Sequence, residues 1–153
     1  MMMHDPIEVV VVLNTTQSAA FQAFVTDVGR WWPVASFSVA GGSVVMEPRL
    51  GGQIIETASD GAKHVWGHIT AWEENRHIAL SWYVGGKDAV PTDISVRFAP
   101  TDDGRTGVTL VHDGWAALGA RAADIRKNYI RGWSAILGEA FAAYAADHCP
   151  PLT

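Results

Sequence analysis

The stretch AADIRKNYIRGWSAILGEAFAAYAAD, residues 122–147, decides the fold. Ile125, Tyr129, Trp133, Ile136, Leu137, Ala140 and Tyr144 recur at helical spacing and lie on one stripe. A helix with one apolar stripe must bury it against another element. Pro150-Pro151 lies beyond its end. The segments upstream supply the partner. Asp93 to Phe98 alternates apolar and polar residues with period two, and so does Val108 to His112. Before them, Ser43 to Glu47, Gln53 to Thr57, His64 to Trp72 and Ile78 to Val84 read as strands. Gly41-Gly42, Pro48, Gly51-Gly52, Asp60-Gly61, Gly85-Gly86 and Asp102-Asp103-Gly104 supply the turns. The short spacings predict an antiparallel meander.

The N-terminal part precedes this meander. Ile7 to Asn14 is a β-branched run and reads as a buried strand. Thr15 and Thr16 are N-cap candidates, because a hydroxyl can accept from the orphan amides of a first helical turn. Phe21, Phe24, Val25 and Val28 recur at helical spacing, and Gly29 is the expected stop before Trp31-Trp32-Pro33. The predicted order is strand, helix, about six antiparallel strands and one long helix. The fold class is α+β, a curved antiparallel sheet wrapped around a C-terminal helix. That shape leaves a cavity unless side chains fill it. With no composition break and no internal repeat, residues 1–153 are expected to form one domain.

Composition narrows the function. The chain is 48% hydrophobic with a mean hydropathy of +0.09, and it can bury a core without a disulfide or metal staple. It carries 16 acidic against 11 basic residues, for a formal charge of −5. An acidic chain without a basic block is a poor partner for nucleic acid. The longest apolar run near the start, Val9 to Leu13, falls far short of the roughly 20 residues of a membrane helix. Met1-Met2-Met3-His4-Asp5-Pro6 lacks the basic and apolar regions of a signal peptide, so the expected location is cytoplasmic. Cys149, the single cysteine, excludes an intrachain disulfide. Its position beside Pro150 suggests a thiol at a frayed end.

At Arg30-Trp31-Trp32-Pro33, Glu47-Pro48-Arg49-Leu50-Gly51-Gly52, Glu56, Trp66-Gly67-His68-Ile69, Trp72-Glu73 and Leu80-Ser81-Trp82 the chain resembles a known group. Gly104-Arg105-Thr106, His112-Asp113-Gly114-Trp115 and Gly132-Trp133 extend the match. The order and spacing of these motifs resemble the START-like superfamily of polyketide cyclase and lipid-transport domains, in the branch similar to the activator of the ninety-kilodalton heat-shock protein ATPase. The resemblance runs from about Ile7 to Ala146. It implies a helix-grip fold, like that of the birch-pollen allergen, with a cavity under the long helix. Where relatives often carry Pro-Pro in one hairpin, this chain has Glu74-Asn75, and asparagine also suits a tight turn. The fold hosts carriers, cyclases and co-chaperones, so it does not by itself select a function.

His64 and His68 sit roughly 13 Å apart on an extended strand and cannot share one zinc ion. His77 approaches one of them only across a hairpin. No metal and no cofactor are expected. Gly132-Trp133-Ser134 is half of a nucleophile elbow inside a helix, and Ser134 reads as a surface serine. None of the Gly-Gly pairs begins a phosphate-binding sequence. His112 shares a face with Val108 and Leu110. It points toward the cavity if that face meets the helix, and there it either orients a ligand and moves protons or bonds a backbone group. Glu56 shares a face with Ile54. Turned inward it becomes a carboxylate with a raised pKa, or else it pairs with an arginine such as Arg49.

The seven tryptophans suggest a pocket with aromatic walls as well as a packed core. Trp66 and Trp72 share a strand face with His64, His68 and Thr70, and periodicity leaves open which face is inside. The cavity-lining candidates are Glu56, Trp66, Ile69, Leu80, Trp82, Val96, Phe98, Leu110, His112, Trp115, Tyr129 and Trp133. The favoured function is binding of a small hydrophobic or amphipathic molecule. A cyclase or dehydratase using His112 or Glu56 is the enzymatic alternative, and a co-chaperone-like interaction module is the third. A homodimer is compatible with all three.

Overall fold

In a computed structural model, residues 5–84 and 89–152 are described. The Gly85-Gly86 turn and residues 1–4 of the leader lie outside them. Within the described residues, seven antiparallel strands form one sheet in the order β1-β7-β6-β5-β4-β3-β2. They are β1 Ile7–Leu13, β2 Ser43–Met46, β3 Gln53–Thr57, β4 Lys63–Glu73, β5 His77–Trp82, β6 Thr92–Pro100 and β7 Thr106–Asp113. Consecutive strands from β2 to β7 are neighbours, as the meander requires, and β1 closes the far edge on β7.

Helices α1 Gln17–Val25 and α2 Val28–Trp31 link β1 to β2. Thr16 is the cap of α1, its hydroxyl accepting from the Ala19 amide at 3.1 Å. Thr15 does something else: its hydroxyl donates to the Pro150 carbonyl at 2.7 Å and pins the C-terminal segment. Gly29 does not stop a helix. It lies inside α2, where a Cβ would stand 2.5 Å from the Val44 carbonyl oxygen, so glycine permits α2 to press on β2.

After β7, Trp115–Arg121 forms a 3₁₀ segment broken at Gly119 (φ 60°). The long helix then runs as α3 Ala122–Ala135, a π segment Ile136–Phe141 and α4 Ala142–His148. A π turn inserts a residue into the helical phase. The buried stripe therefore passes from Leu137 to Phe141, which is fully buried, while Ala140 is only partly so. This shift was invisible to a stripe drawn with constant period.

The core lies between the concave sheet face and this helix, with α1 and α2 filling one end. Ile54, Ile69, Leu80, Val96, Phe98 and Leu110 are buried there. Two register shifts in β4 settle which of its residues face inward. Pairing with β3 passes from Val65 to Gly67, and pairing with β5 from Ile69 to Ala71. Each shift changes the alternation by one residue. Trp66, Ile69 and Trp72 thus all face the core, with the Trp72 ring edge-on to Phe21 at 5.2 Å. His68 pairs with Ser81 on the outer face, bonded to the Tyr83 hydroxyl at 3.0 Å, and Thr70 is exposed. The common face predicted for Trp66, Trp72, His68 and Thr70 is therefore broken by the bulges.

The Glu74-Asn75 hairpin forms, with Asn75 at φ 67°. Cys149 is half-buried rather than frayed, with its thiol 3.7 Å from the Ala19 carbonyl. Among the described residues no helix is long and apolar enough to cross a membrane.

Candidate functional site

A cavity of about 280 Å³ lies between α3, the loop after α2 and the ends of β4 and β5. The strands contribute Trp66 and Trp82, and Val84 follows β5. The helix contributes Asn128, Tyr129, Gly132, Trp133 and Ile136. The loop contributes Trp32, Ser36, Phe37 and Ser38. Its walls are mainly indole faces. The Trp32 ring centroid stands 5.2 Å from Trp66, 6.1 Å from Trp82 and 5.9 Å from Trp133. Trp82 and Trp133 are 6.0 Å apart. At these separations the rings touch one another, so they act as a rigid continuous wall.

The wall's polar atoms are spent inside the protein. Trp32 Nε1 donates to the Phe37 carbonyl at 2.7 Å, Trp66 Nε1 to Glu56 at 3.3 Å, Trp82 Nε1 to the Tyr129 hydroxyl at 3.1 Å and Trp133 Nε1 to His112 Nδ1 at 2.9 Å. None of these N–H groups is left for a ligand. The Tyr129 hydroxyl accepts from Trp82, and among the described residues no acceptor takes its own hydrogen. Burial raises the Tyr129 phenol above its ordinary value, against the opposing effect of the Trp82 N–H, so it stays protonated at neutral pH. It is a half-buried donor in the cavity wall. No charged side chain lines this cavity among the described residues.

A second chamber of about 130 Å³ adjoins it, and Trp82, Val84 and Tyr129 line both. Trp115, Leu118, Ile125, Thr92 and Arg121 belong to the second alone.

Of the predicted lining residues, Trp66, Trp82, Tyr129 and Trp133 meet at the larger cavity, and Trp115 lines the smaller. Ile69, Leu80, Val96, Phe98 and Leu110 are packed into the core and line neither. His112 and Glu56 are also fully buried, and both sit behind the cavity walls.

The His112 ring is enclosed by Trp115, Tyr129 and Trp133, with centroids at 4.2, 4.7 and 5.9 Å. Nδ1 accepts from Trp133, so the neutral ring carries its proton on Nε2 and donates it to Thr92 Oγ1 at 2.7 Å. Burial pushes its pKa down to about 3. The ring has no free nitrogen and is no proton shuttle at neutral pH.

Glu56 corrects a second expectation. Burial taken alone raises its pKa, yet the amides of Gly42, Val39 and Ala40 and the Trp66 N–H all donate to the carboxylate and bring it below the ordinary value. It does not pair with Arg49, which bonds Glu47 at 3.2 Å. Glu56 is an ionised clasp on the loop that forms the cavity mouth.

The loop residues Trp32, Ser36, Phe37 and Ser38 were not anticipated, because an irregular loop carries no period. Asn128, Gly132 and Ile136 were legible in principle, since they stand four apart beside Tyr129 and Trp133.

On the outer sheet face, Ser95 Oγ lies 2.9 Å from His77 Nε2, and His77 Nδ1 3.3 Å from Glu73. This has the order of a nucleophile, base and orienting acid. The adjacent strand residues on both sides of β6 are paired in the sheet, so the amides there are committed to the ladder and no oxyanion hole is formed. Among the described residues no group of three or more His, Cys, Asp or Glu is placed to hold a metal ion.

No protein with a curated description matches the sequence. Three of the solved structures that share the fold illustrate its range. One is CalC, a self-sacrificing resistance protein from Micromonospora echinospora, with 20% identity and a TM-score of 0.70 over 96% of this chain and 97% of that one. Another is Txn09, an anthrahydroquino-gamma-pyrone synthase complexed with SUM, with 26% identity and a TM-score of 0.59 over 94% and 99%. The third is the Aha1 dimer from Colwellia psychrerythraea, with 16% identity and a TM-score of 0.65 over 94% and 97%. The profile described as Activator of Hsp90 ATPase homolog 1-like protein matches residues 14–146. With its curled sheet closed on a C-terminal helix, the chain is a START-like, helix-grip protein and belongs to that Activator of Hsp90 ATPase homolog 1-like family.

Proposed function

We propose that the protein binds a small hydrophobic or amphipathic molecule whose flat, uncharged aromatic body lies in the cavity between the sheet and α3. The observation that carries this reading is the pairing of an indole-walled cavity, with no charged side chain among the described residues, with the half-buried Tyr129 hydroxyl, whose hydrogen no described acceptor takes. Its volume lies near the lower end of small-molecule sites, roughly 300–1,000 Å³. Rigid walls of spent polarity favour a flat ring system, and Tyr129 O–H favours a ligand with a carbonyl or quinone oxygen.

Tryptophan emission tests this directly. Anthraquinone is expected to quench it with about three- to tenfold higher affinity than anthracene, the worth of one neutral hydrogen bond. Tyr129→Phe should erase the difference while both compounds still bind. Absence of binding by both, or a preference unchanged in the variant, overturns the reading.

A second reading, cyclisation of an aromatic or ketide-like substrate, draws on the 26% identity to the synthase. His112 and Glu56 supply no acid or base to it, since both are bonded behind the wall. Tyr129 would be the proton donor, and the cavity would act by folding the substrate. Loss of one water from a ketide-like substrate, followed by mass spectrometry and abolished in Tyr129→Phe, distinguishes turnover from binding. Self-association is also part of this reading. The dimer reported for the Colwellia protein supports it, and sedimentation analysis tests it.

A further inference from the structure

The outer face of the sheet carries a separate arrangement, and none of its residues lines the cavity. Glu73 stands directly opposite His77 across β4 and β5, and Ser95 on β6 lies diagonal to His77. The buried His77 ring is engaged at both nitrogens: Nε2 is 2.9 Å from Ser95 Oγ and Nδ1 is 3.3 Å from Glu73. The carboxylate decides the tautomer. An ionised Glu73 can only accept, so the ring proton sits on Nδ1 and the lone pair on Nε2 accepts the Ser95 hydroxyl hydrogen. Ser95 itself is half-buried. Its row across the sheet runs Ala71, Ala79, Ser95 and Val111, so β4 and β5 set only methyl groups beside the hydroxyl.

We propose that Ser95 is a nucleophile that takes one acyl group from an activated ester, such as an aryl ester, and keeps it. As Oγ bonds to the carbonyl carbon, its proton passes to His77 Nε2. The bond from that carbon to the aryl oxygen breaks, and the phenolate leaves with the electron pair and takes the proton. Serine and aryl ester thus give acyl-serine and phenol with no co-reactant. Glu73 acts through His77, as a positioning residue. A placed base speeds such a step by about 10²–10⁴-fold. The amides of β6 are committed to the ladder, and a missing oxyanion donor costs about 10²–10³-fold. Acylation withstands that loss because the aryl oxygen is a good leaving group. The acyl-serine is an unactivated alkyl ester, so its hydrolysis does not, and the reaction stops after one event.

The test is exposure of the protein to 4-nitrophenyl acetate, read by intact mass and peptide mapping. One acetyl group should accumulate on Ser95 about a hundredfold faster than on the exposed Ser59 and Ser134. In denaturant that advantage should vanish, which needs no variant. In the folded protein His77→Gln should remove it. Glu73→Ala should lower the rate about tenfold, the worth of one hydrogen bond, and Glu73→Gln, whose carbonyl still accepts from Nδ1–H, should restore most of it. Equal labelling of the three serines in folded wild-type protein overturns the proposal. So does a selectivity that survives denaturant or His77→Gln. Continuous release of nitrophenolate with Ser95 left unmodified overturns it too. None of these outcomes bears on binding in the cavity.

Discussion

Trp133 Nε1 donates to His112 Nδ1 across 2.9 Å, and this bond fixes the proton of a fully buried imidazole on Nε2, toward Thr92. One edge of the indole thus serves the core while its face serves the cavity. Trp133→Phe keeps an aromatic wall but leaves Nδ1 a buried acceptor without a donor. Chemical denaturation should show a loss of about 1–3 kcal/mol.

The same imidazole makes stability depend on pH. Its native pKa of about 3 lies below the ordinary 6.5, so the unfolded chain gains a proton that the fold refuses. Stability contributed by the neutral ring is complete above pH 6.5 and declines as pH falls toward 3, at about 1 kcal/mol per unit. Between pH 6 and 5 most carboxylates stay ionised, and denaturation midpoints there should fall in the wild type. The decline should be shallower in His112→Gln.

Glu56 holds the mouth loop through main-chain amides. Glu56→Gln presents an amide N–H where acceptors are needed, and about 3 kcal/mol of stability should go. Hydrogen exchange at Val39, Ala40 and Gly42 should accelerate in that variant. The native pKa is lowered, so the clasp is complete above the ordinary 4.5 and weakens as pH falls through the lower native value.

Two glycines should respond oppositely to alanine. At Gly132 in α3 a Cβ would meet Phe37 Cε1 at 3.5 Å, an ordinary contact, and alanine is the better helix former. Gly132→Ala should add up to about 1 kcal/mol of stability. At Gly67 a Cβ would lie 2.2 Å from the Ser81 carbonyl oxygen. Gly67→Ala should cost about 1–3 kcal/mol by forcing β4 and β5 apart.

Burial, with the nearby Asp27 charge adding to it, raises the Cys149 thiol above its usual value. It should react with a disulfide reagent at mildly alkaline pH more slowly than a free cysteine. Denaturant should abolish the difference.

The order of strands and helices along the chain was legible because alternation and helical spacing are local signals, whereas the pairing of β1 with β7 was not. The inward course of β4 was not, since its bulges arise from pairing with two neighbours at once. The helical wall of the site was half legible: Tyr129, Trp133 and Ile136 stood on the stripe, while Asn128 and Gly132 lie beside it. His112 and Glu56 are buried, yet what they do is set by partners distant in sequence. For Glu56 these are amides 14 to 17 residues away, and no side-chain pattern records a main-chain donor.

That grip has a consequence for how the pocket can diversify. Glu56 holds Val39, Ala40 and Gly42 by main-chain atoms, and Trp32 holds Phe37 by its carbonyl. Neither tether reads the side chains of Ser36 or Phe37, which nevertheless form part of the lining. Substitution there can retune ligand preference without rewriting the course of the loop, so Ser36 and Phe37 are where libraries for altered binding should begin.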